Sequence, residues 1–472
     1  MPFISRIITG KLTRERPFCL FGPAGSGKTT LIQDFSARFS NFIRLDLETQ
    51  ADRSLFPDPP DPPETLRAIS FLKERELRGT GTLLLLDEIG RCPAALRWIA
   101  ELTEWQTTGR ANREENKVPA LPFIVATSSF WRDELAPLVD PVKGFFRPVF
   151  LPPFSFKEFL VASGDEPSLA SFREVPVPGY AHERLLRHFH RFSLIGGMPG
   201  VISAFSGGGL PGLKHAYETI GAQFLRNLAH VAPDPRTYRL AADVLQNAYP
   251  FAATRIAFRD FGNLGRGSRE TIRAFRALEN LFFCRVVPPH TGFTPAIPAD
   301  PTRSPRLHLA DTGLVNYFSG IQKTLLHTSD MNAIFHGQIA RQAIGQEIAA
   351  VEATGQEVPS GSARTGPIRL PAPGFWTRSK PQSTAEIDFV LVHRDLLIPV
   401  VARSGEPGRL RALHPFIDAA PHPYAVRLHA DPLAVRETRT IKGKKFYLLS
   451  LPYFLAGRIR EHLDGFMKYV NP

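Results

Sequence analysis

The sequence predicts an α/β fold whose N-terminal part is a doubly wound parallel sheet. Short apolar runs alternate with amphipathic segments between residue 17 and about residue 155, as in a parallel sheet that carries helices on both faces. The run TLLLLDE is apolar without interruption, which is typical of a strand buried on both faces. The predicted strands are Pro17–Gly22, Phe42–Glu48, Thr82–Glu88, Leu121–Ser129 and Phe146–Pro152.

The helices follow from apolar spacing, and the boundaries follow from changes of pattern. Leu31, Phe35 and Phe39 recur every four residues, which predicts a helix over Lys28–Ser40 with one apolar face. From residue 156 the pattern is helical and is interrupted by GGMPG at Gly196–Gly200, and a mixed α/β stretch closes the chain. The predicted domains are 1–155 for the sheet, 156–230 and 231–325 for two helical parts, and 326–472 for the mixed part.

Composition limits the class of protein and the compartment. Hydrophobic residues make up 43% and charged residues 22% of the 472 residues, which is ordinary for a globular protein. The net charge of +12 favours nucleic acid or an anionic lipid surface as a partner, although a basic solvated surface is the alternative. Cys19, Cys92 and Cys284 are far apart and odd in number, so we expect free thiols in the cytoplasm. No apolar stretch reaches about 18 residues, so no membrane-spanning helix is expected.

A glycine-rich segment carries the first chemical signal. GPAGSGKT at Gly22–Thr29 matches the phosphate-binding loop (P-loop) pattern G-x-x-x-x-G-K-[ST] and lies between a predicted strand and a predicted helix. Glycines there let backbone N–H groups turn toward phosphates, and the helix adds the positive end of its dipole. Lys28 is expected to bridge the β- and γ-phosphates of ATP, and the Thr29 hydroxyl to bind Mg²⁺. The residues expected to hold the nucleotide are Gly22, Pro23, Ala24, Gly25, Ser26, Gly27, Lys28, Thr29 and Thr30.

Two carboxylates at the end of the strand TLLLLDE supply the second half of such a site. Asp87 is predicted to hold Mg²⁺, as Walker-B aspartates do. Glu88 is predicted to orient and deprotonate a water molecule, which favours hydrolysis over transfer of phosphate to a metabolite. The alternative for Glu88 is a solvated charge at a strand end. Lys28 and Glu88 are therefore the leading candidate catalytic residues.

Further polar side chains follow the later strands. Thr127 and Ser128 end the strand FIVATSS, where a hydroxyl can sense the γ-phosphate, but both residue types also serve as helix N-caps. Arg147 can neutralise transition-state charge in its own or a neighbouring subunit, or it is a plain surface arginine. We add Thr127 to the candidate nucleotide ligands and Arg147 to the candidate catalytic residues.

Nine segments that span nearly the whole chain carry a family resemblance. They are GPAGSGKTTLI, LLLLDEIG, FIVATSSF, RPVFLPPFSFKEFL, GGMPG, LHLADTGLVNYF, FWTRSKPQSTAEIDFVL, IPVVARSG and LPYFLAGRI. In this order they resemble a group of bacterial and archaeal AAA+-type (STAND-like) P-loop ATPases with a C-terminal region of unknown function. The resemblance implies a P-loop core, a helical lid, a winged helix and a nuclease-like domain of the PD-(D/E)XK type. It also implies that Pro199 packs near the adenine, although the residues of GGMPG fit an ordinary turn equally well.

The winged-helix part contains a row of arginines. Ser268 is predicted to cap a helix in which Ile272, Phe275 and Leu278 form the apolar stripe. A recognition helix in a DNA groove can use a basic row on its other side for phosphate contacts. The alternative is a winged helix that makes only protein contacts. The arginines of this row are Arg266, Arg269, Arg273 and Arg276.

The nuclease-like part lacks the residues that its resemblance requires. Asp388 matches the first metal-binding acid of such nucleases, and Glu347 is the candidate helical glutamate. Val401 and Arg403 stand where relatives carry the second acid and the lysine. Valine cannot bind a metal, arginine is a poor base, and Glu406 falls in a turn. We therefore expect a nuclease-like fold without nuclease activity.

These predictions combine into one leading function and two alternatives. The leading function is a Mg²⁺-dependent ATPase that couples its nucleotide state to DNA or to a protein partner. One alternative is a nucleotide-switched binding module with negligible turnover, and the other is an active DNA nuclease. AAA+ relatives suggest rings, so a homo-oligomer is an open expectation.

Overall fold

The structure is a computed structural model and describes residues 6–77, 79–109, 121–140, 144–326, 337–355, 367–379, 385–402 and 410–470. None of the helices within these ranges combines the length and the apolar character needed to cross a lipid bilayer.

The N-terminal part is a five-stranded parallel sheet, as the sequence predicts. The strands are β1 (Phe18–Phe21), β2 (Asn41–Asp46), β3 (Thr82–Asp87), β4 (Phe123–Ser128) and β5 (Arg147–Phe150). Their order in the sheet is β2-β3-β4-β1-β5, and every neighbouring pair is parallel. The helices are α1 (Lys28–Ser36), α2 (Gln50–Arg53), α3 (Pro62–Leu72) and α4 (Pro93–Gly109).

Each face of this sheet is covered because its strand residues are apolar on both sides. Phe18 and Leu20 of β1 pack with Leu31 of α1 on one face. Cys19 of β1 packs with Trp98 of α4 on the other face. Because all five strands are parallel, their carboxyl ends lie at one edge, and the segments that follow β1, β3 and β4 meet there.

Five helices follow the sheet, in the part of the chain for which a helical lid is predicted. The first begins with a capping box, in which the side chains of Ser155 and Glu158 satisfy each other's backbone N–H groups. The apolar faces of the five helices join one large core that continues into the C-terminal part. The helices are α5 (Phe156–Ser163), α6 (Glu166–Arg173), α7 (His182–Ile195), α8 (Pro199–Gly208) and α9 (Leu213–Val231).

The next part packs helices against a short antiparallel pair of strands. Its elements are α10 (Pro235–Asn247), α11 (Ser268–Asn280), β6 (Cys284–Val287), β7 (Arg306–Leu309), α12 (Thr312–Phe318) and α13 (Gln322–Leu326). Helix α11 starts at Ser268 with Gly267 as its N-cap, so the predicted cap is displaced by one residue. Phe275 and Leu278 are buried as predicted, whereas Ile272 is only half-buried.

The C-terminal part is a six-stranded mixed sheet. Its elements are α14 (Gln338–Gly355), β8 (Gly374–Thr377), β9 (Glu386–His393), β10 (Leu396–Ala402), α15 (Leu413–Ala419), β11 (Tyr424–His429), β12 (Ala434–Arg439), β13 (Lys445–Pro452) and α16 (Ile459–Val470). The strand order is β12-β13-β11-β10-β9-β8. Strands β8, β9 and β10 form an antiparallel meander, and β11 runs parallel to β10.

Candidate functional site

The P-loop follows β1 at the carboxyl edge of the sheet. Gly25 and Gly27 have φ values of +81° and +88°, a region that side chains disfavour, so glycine is needed at both positions. Gly22 lies against the backbone of the next strand segment, where a Cβ atom would stand 2.3 Å from the carbonyl oxygen of Leu151. Helix α1 then starts at Lys28 without a side chain that caps its first N–H groups.

Lys28 is folded into the loop. Its Nζ atom donates to the carbonyl oxygens of Gly22 at 3.0 Å and Pro23 at 3.2 Å, and to Ser129 Oγ at 2.8 Å. Burial lowers the pKa of Lys28, and the nearby carboxylates of Glu88 and Asp87 oppose that shift. An anionic phosphate in the loop would therefore stabilise this buried cation.

Asp87 is buried at the end of β3 and binds several groups. Thr29 Oγ1 lies 3.0 Å from Asp87 Oδ2, and Thr127 Oγ1 donates to Asp87 Oδ1 at 2.5 Å. Arg44 of β2 also donates to Asp87 Oδ2, at 2.8 Å from its Nε atom and 2.7 Å from its Nη2 atom. Thr29 and Asp87 thus form the oxygen pair expected of a Mg²⁺ site. The Arg44 guanidinium group binds the Asp87 carboxylate of this pair, a contact that the sequence does not predict.

Glu88 has a left-handed backbone, with φ 59° and ψ 48°. For a residue with a Cβ atom this conformation is uncommon and is found more often at functional sites. Ser129 holds its carboxylate: the backbone N–H of Ser129 donates to Glu88 Oε2 at 2.9 Å, and the Ser129 hydroxyl donates to Oε1. Lys28 Nζ is 3.8 Å from Glu88 Oε1.

The hydroxyl that meets Lys28 and Glu88 belongs to Ser129 and not to Ser128. Ser128 Oγ donates to the carbonyl oxygen of Phe130 instead. Thr127 does face the site, because its Oγ1 atom contacts Asp87 and accepts from the backbone N–H of Glu88 at 3.0 Å. Successive side chains of a strand point to opposite faces, so the same alternation that brings Thr127 to the site also brings Ser129 there.

Lid residues cover the P-loop. The Pro199 ring, at the start of α8, lies 3.4 Å from where a Cβ atom on Gly27 would be. Ile220 of α9 lies 3.1 Å from the corresponding position on Gly25. The sequence-predicted Pro199 is therefore in direct contact with the loop, while the part played by Ile220 was not predicted.

Helix α9 also contacts the two other loops at this edge. Arg91, just after β3, donates to Asn227 Oδ1 at 2.5 Å and contacts His230 Nε2 at 3.2 Å. The His230 ring stacks on Phe130, which follows β4, with 5.5 Å between ring centroids. One helix thus contacts the P-loop, the loop after Asp87 and the loop after Ser129.

A buried arginine supports the P-loop from behind. Arg6 Nη1 donates to the carbonyl oxygen of Ser26 at 2.9 Å, and its Nε atom pairs with Glu158 Oε1 at 2.7 Å. Arg6 lies outside every motif that the sequence displayed, so nothing in the pattern pointed to it. It links the loop to the capping box of α5.

Arg147 lies at the amino-terminal end of the parallel strands, opposite the carboxyl-terminal end that carries the P-loop. It is the first residue of β5 and pairs with Phe18, the first residue of β1, whereas the P-loop follows the last residue of β1. The predicted role within its own chain is therefore corrected, because parallel strands carry their amino ends about 10 Å from their carboxyl ends here. The role toward a neighbouring subunit stays a prediction.

The arginine row, which comprises three residues of α11 and one just before it, faces solvent. All four guanidinium side chains are exposed, while the opposite face of the helix is buried. These residues are Arg266, Arg269, Arg273 and Arg276.

Asp388 lies in strand β9 of the C-terminal sheet, and Glu347, the acid predicted to join it, binds elsewhere. The Oδ2 atom of Asp388 accepts from the backbone N–H of Ala402 at 2.9 Å, and its Oδ1 atom is 3.6 Å from Arg341 Nη1. Glu347 does not meet it, because Glu347 Oε1 accepts from the backbone N–H of Phe156 at 2.7 Å. The helical residue that faces Asp388 is Arg341, so the prediction for Glu347 is wrong.

Val401, at the position of the expected second acid, packs in an apolar cluster with Phe416. Arg403 and Glu406 fall outside the described residues.

The residues present fit a nucleotide and its cation. Ser26 Oγ is buried and has no hydrogen-bond partner within the described residues, and the N–H groups that open α1 have no side-chain cap. Both features suit a phosphate, which accepts from such donors. Asp87 and Thr29 present the oxygen atoms that Mg²⁺ prefers.

Residues 14–160 match the family model described as "AAA domain". A search of curated proteins gives no significant match. Among solved structures, the ORC2 protein of Aeropyrum pernix in its ADPNP–ADP complexes is 12% identical, with 66% of this chain and 89% of that chain covered and a TM-score of 0.33. The ADP form of the same protein is 10% identical at the same coverages of 66% and 89%, with a TM-score of 0.27. These scores are too low for the likeness to bear on this chain.

The family match covers the parallel sheet, the P-loop and the two carboxylates that follow β3. Residues 14–160 therefore have an α/β, P-loop NTPase-like fold and are similar to the AAA domain family.

Proposed function

We propose that the chain binds ATP with Mg²⁺ and hydrolyses it at the carboxyl edge of the N-terminal sheet. The observation that carries this proposal is the contact set of Ser129, which binds both the Lys28 ammonium group and the Glu88 carboxylate. A phosphate-binding cation and a fixed carboxylate beside it are the groups that would bind a terminal phosphate and orient an attacking water molecule. A transferase for small metabolites has no need of such a carboxylate.

Each residue has a defined task in this proposal. Glu88 accepts the proton of the attacking water, and Ser129 holds its carboxylate in one orientation. Lys28 binds the β- and γ-phosphates, and Thr127 fixes Asp87 through its hydroxyl. Bound Mg²⁺, which Thr29 and Asp87 would hold, supplies charge neutralisation at the phosphates.

The position of α9 supports coupling of the nucleotide site to a partner. This helix contacts the three loops of the site through Ile220, Asn227 and His230, and it also packs against α10 and α11. The exposed arginine row of α11 supports DNA as that partner, since its charge is complementary to phosphates. The coupled part would be the predicted winged helix.

One observation favours a nucleotide-switched binding module as the second candidate. Asp87 is already paired with Arg44, and the lid already touches Gly25 and Gly27. A site that is closed in this way suits slow exchange and low turnover. In this alternative, binding of ATP would reposition α9 without rapid hydrolysis.

Nuclease activity is not part of the proposal. A two-acid metal site needs a second carboxylate beside Asp388. Among the described residues, Arg341 pairs with the Asp388 carboxylate and Arg306 donates to the Asp388 carbonyl oxygen. The C-terminal sheet is proposed as a nuclease-like scaffold that serves as an interaction surface.

The test of the ATPase proposal compares the wild-type chain with Lys28→Ala. Nucleotide binding is measured by titration calorimetry and turnover by phosphate release, with and without duplex DNA. We expect Lys28→Ala to abolish both, while Lys157→Ala, an exposed lysine on α5, leaves both unchanged. Tight binding without turnover in either condition would instead support the switch, and no binding by the wild type would refute both.

The DNA proposal has its own test with a matched control. Arg269→Ala with Arg273→Ala removes two exposed charges spaced four apart on α11. Arg187→Ala with Arg191→Ala removes two at the same spacing on α7. We expect only the α11 pair to weaken duplex binding. The same pair should reduce the slope of log K against log salt concentration by the equivalent of about two phosphate contacts. Equal effects of both pairs would reject α11 as the DNA-contacting face.

A further inference from the structure

Three segments that are distant in sequence meet at the turn that opens α8. The backbone N–H of Gly197 donates to Asp311 Oδ2 at 2.6 Å, and the Gly197 carbonyl oxygen accepts from the backbone N–H of Phe154 at 2.7 Å. Asp311 is fully buried and also caps α12, because its Oδ1 atom accepts from the backbone N–H of Leu314 at 3.0 Å. The turn is thus held from both sides by fixed groups.

The fit around this turn leaves no room for side chains. A Cβ atom on Gly196 would stand 2.3 Å from Asp311 Oδ1, and one on Gly197 would stand 2.3 Å from the carbonyl oxygen of Phe154. A Cβ atom on Gly313 would stand 2.0 Å from the carbonyl oxygen of Ile195. The backbones therefore approach as closely as glycine allows, and Asp311 determines where the turn lies.

The turn leads directly into the nucleotide site. Pro199 follows Gly197 by two residues and is the first residue of α8, where its ring contacts the P-loop at Gly27. Proline has a fixed φ and few internal degrees of freedom, so its position follows from the turn that precedes it. The contact on Gly27 therefore depends on the bonds that hold this turn, and the bond between Gly197 and Asp311 is one of them.

The other side of Asp311 leads to the C-terminal part. Gln346 of α14 lies 3.4 Å from Asp311 Oδ2 through its Nε2 atom, and its Oε1 atom accepts from the backbone N–H of Thr312 at 2.8 Å. Arg341 of the same helix pairs with Asp388 of β9. A series of contacts, joined by the backbone of the turn and of α14, therefore runs from Gly27 to the C-terminal sheet.

We propose that Asp311 is a positioning residue for the nucleotide site: it fixes the Gly196–Gly197 turn, holds Pro199 against the P-loop, and joins this contact to α14. The effect on ATP binding rests on the proposed function, whereas the effect on the free P-loop does not. Asp311 touches no substrate and acts through Pro199.

The first experiment needs no nucleotide. Hydrogen–deuterium exchange of the P-loop peptide is compared among the full-length wild type, Asp311→Asn and Asp165→Asn. Asp165 is a matched control, because it is also a carboxylate that caps a helix, but it binds Ser168 of α6 and not the turn. We expect faster P-loop exchange in Asp311→Asn alone. Unchanged exchange, or an equal rise in both variants, would overturn the proposal.

The second experiment measures the ATP dissociation constant in a double-mutant cycle. Loss of the Asp311 contact is expected to weaken ATP binding roughly tenfold in the wild-type background and to have little further effect in Pro199→Ala. Additive effects would show that Asp311 does not act through Pro199. Gln346→Ala, which removes the α14 side and spares Asp311, is expected to give a smaller change in the same direction. Failure of the wild type to bind ATP would refute the proposed function, and the exchange result would still decide the role of Asp311.

Discussion

The Nζ atom of Lys28 lies 3.8 Å from Oε1 of Glu88, and the hydroxyl of Ser129 binds both groups. A cation and a carboxylate that share one hydroxyl have fixed positions before any nucleotide arrives. Preorganised groups of this kind need not reorganise at the moment of reaction, which is the main source of electrostatic catalysis.

Replacement of Glu88 by glutamine should separate binding from hydrolysis. Glutamine keeps the size and can still accept from the Ser129 N–H, but it cannot take a proton from water. We expect kcat to fall by about 10²–10⁴-fold with ATP affinity retained. Glu48→Gln is the control, since Glu48 pairs with Arg91 close to the site and acts on Lys28 more weakly than Glu88 does. Unchanged phosphate release in Glu88→Gln would remove Glu88 as the base.

Two neighbouring serines offer a test of the strand alternation. Ser129→Ala should slow turnover roughly tenfold, because Glu88 and Lys28 both lose a partner. Ser128→Ala removes only the contacts of its hydroxyl with the backbone carbonyl oxygen and N–H of Phe130, so it should cost about 1 kcal/mol of stability and leave kcat unchanged. Steady-state kinetics and thermal unfolding distinguish the two effects. The assignment fails if Ser128→Ala is the slower enzyme.

Arg44 would compete with Mg²⁺ for Asp87 in the proposed site. Because the guanidinium group binds Asp87 Oδ2, a metal must share or displace that contact. We expect Arg44→Ala to lower the Mg²⁺ concentration for half-maximal activity by about fivefold, a modest effect since Arg44 is partly exposed. Arg53→Ala is the control, because Arg53 binds the carbonyl oxygens of Leu47 and Glu48 instead. A higher Mg²⁺ requirement in Arg44→Ala would show that Arg44 assists the metal site.

Glu347 should make stability depend on pH. Burial raises its pKa from 4.5 to about 8, while the backbone N–H of Phe156 opposes the shift. Between those two pH values the folded state retains a proton that the unfolded state has released, so stability falls as pH rises through this range. Glu347→Gln should lose this dependence and be more stable than wild type at pH 8.

Urea unfolding at pH 5.5 and pH 8 measures that difference. The exposed Glu183 of α7 provides the control substitution Glu183→Gln, which should retain the wild-type slope. An equal pH dependence in wild type and Glu347→Gln would contradict the buried, protonated carboxyl group.

Plasmid DNA should survive incubation with the protein and Mg²⁺ or Mn²⁺. The Asp388 carboxylate is held by the Ala402 N–H and by Arg341, and it has an apolar valine where a second acid is required. Asp388→Ala is the control preparation. Cleavage by wild type that disappears in Asp388→Ala would reinstate the nuclease.

Local sequence was sufficient for the parts of the site that one strand and one turn determine. The P-loop and the pair Asp87–Glu88 are contiguous motifs, and the parallel sheet follows from its apolar strands. The position of Ser129 could also be predicted from sequence, since alternation along β4 places its side chain on the same side as that of Thr127. The separation of Arg147 from the P-loop could be predicted in the same way, because a residue at the amino end of a parallel strand cannot meet a loop at the carboxyl end.

Contacts between distant segments could not be predicted. Arg44 meets Asp87 only because β2 pairs with β3 in one register, and Arg341 meets Asp388 only because α14 packs on the C-terminal sheet. The residue type of Glu347 suits a metal-binding site, but α14 directs its side chain toward the start of α5. Such pairings depend on packing that no single segment encodes.

The placement of α9 has a thermodynamic consequence. A single helix touches the three loops of the nucleotide site and also packs against the elements that carry the arginine row. If ATP changes the affinity for DNA by some factor through this helix, DNA must change the affinity for ATP by the same factor. A binding titration performed from either end therefore measures the same coupling free energy, and a substitution on α9 that removes the coupling must remove it from both titrations.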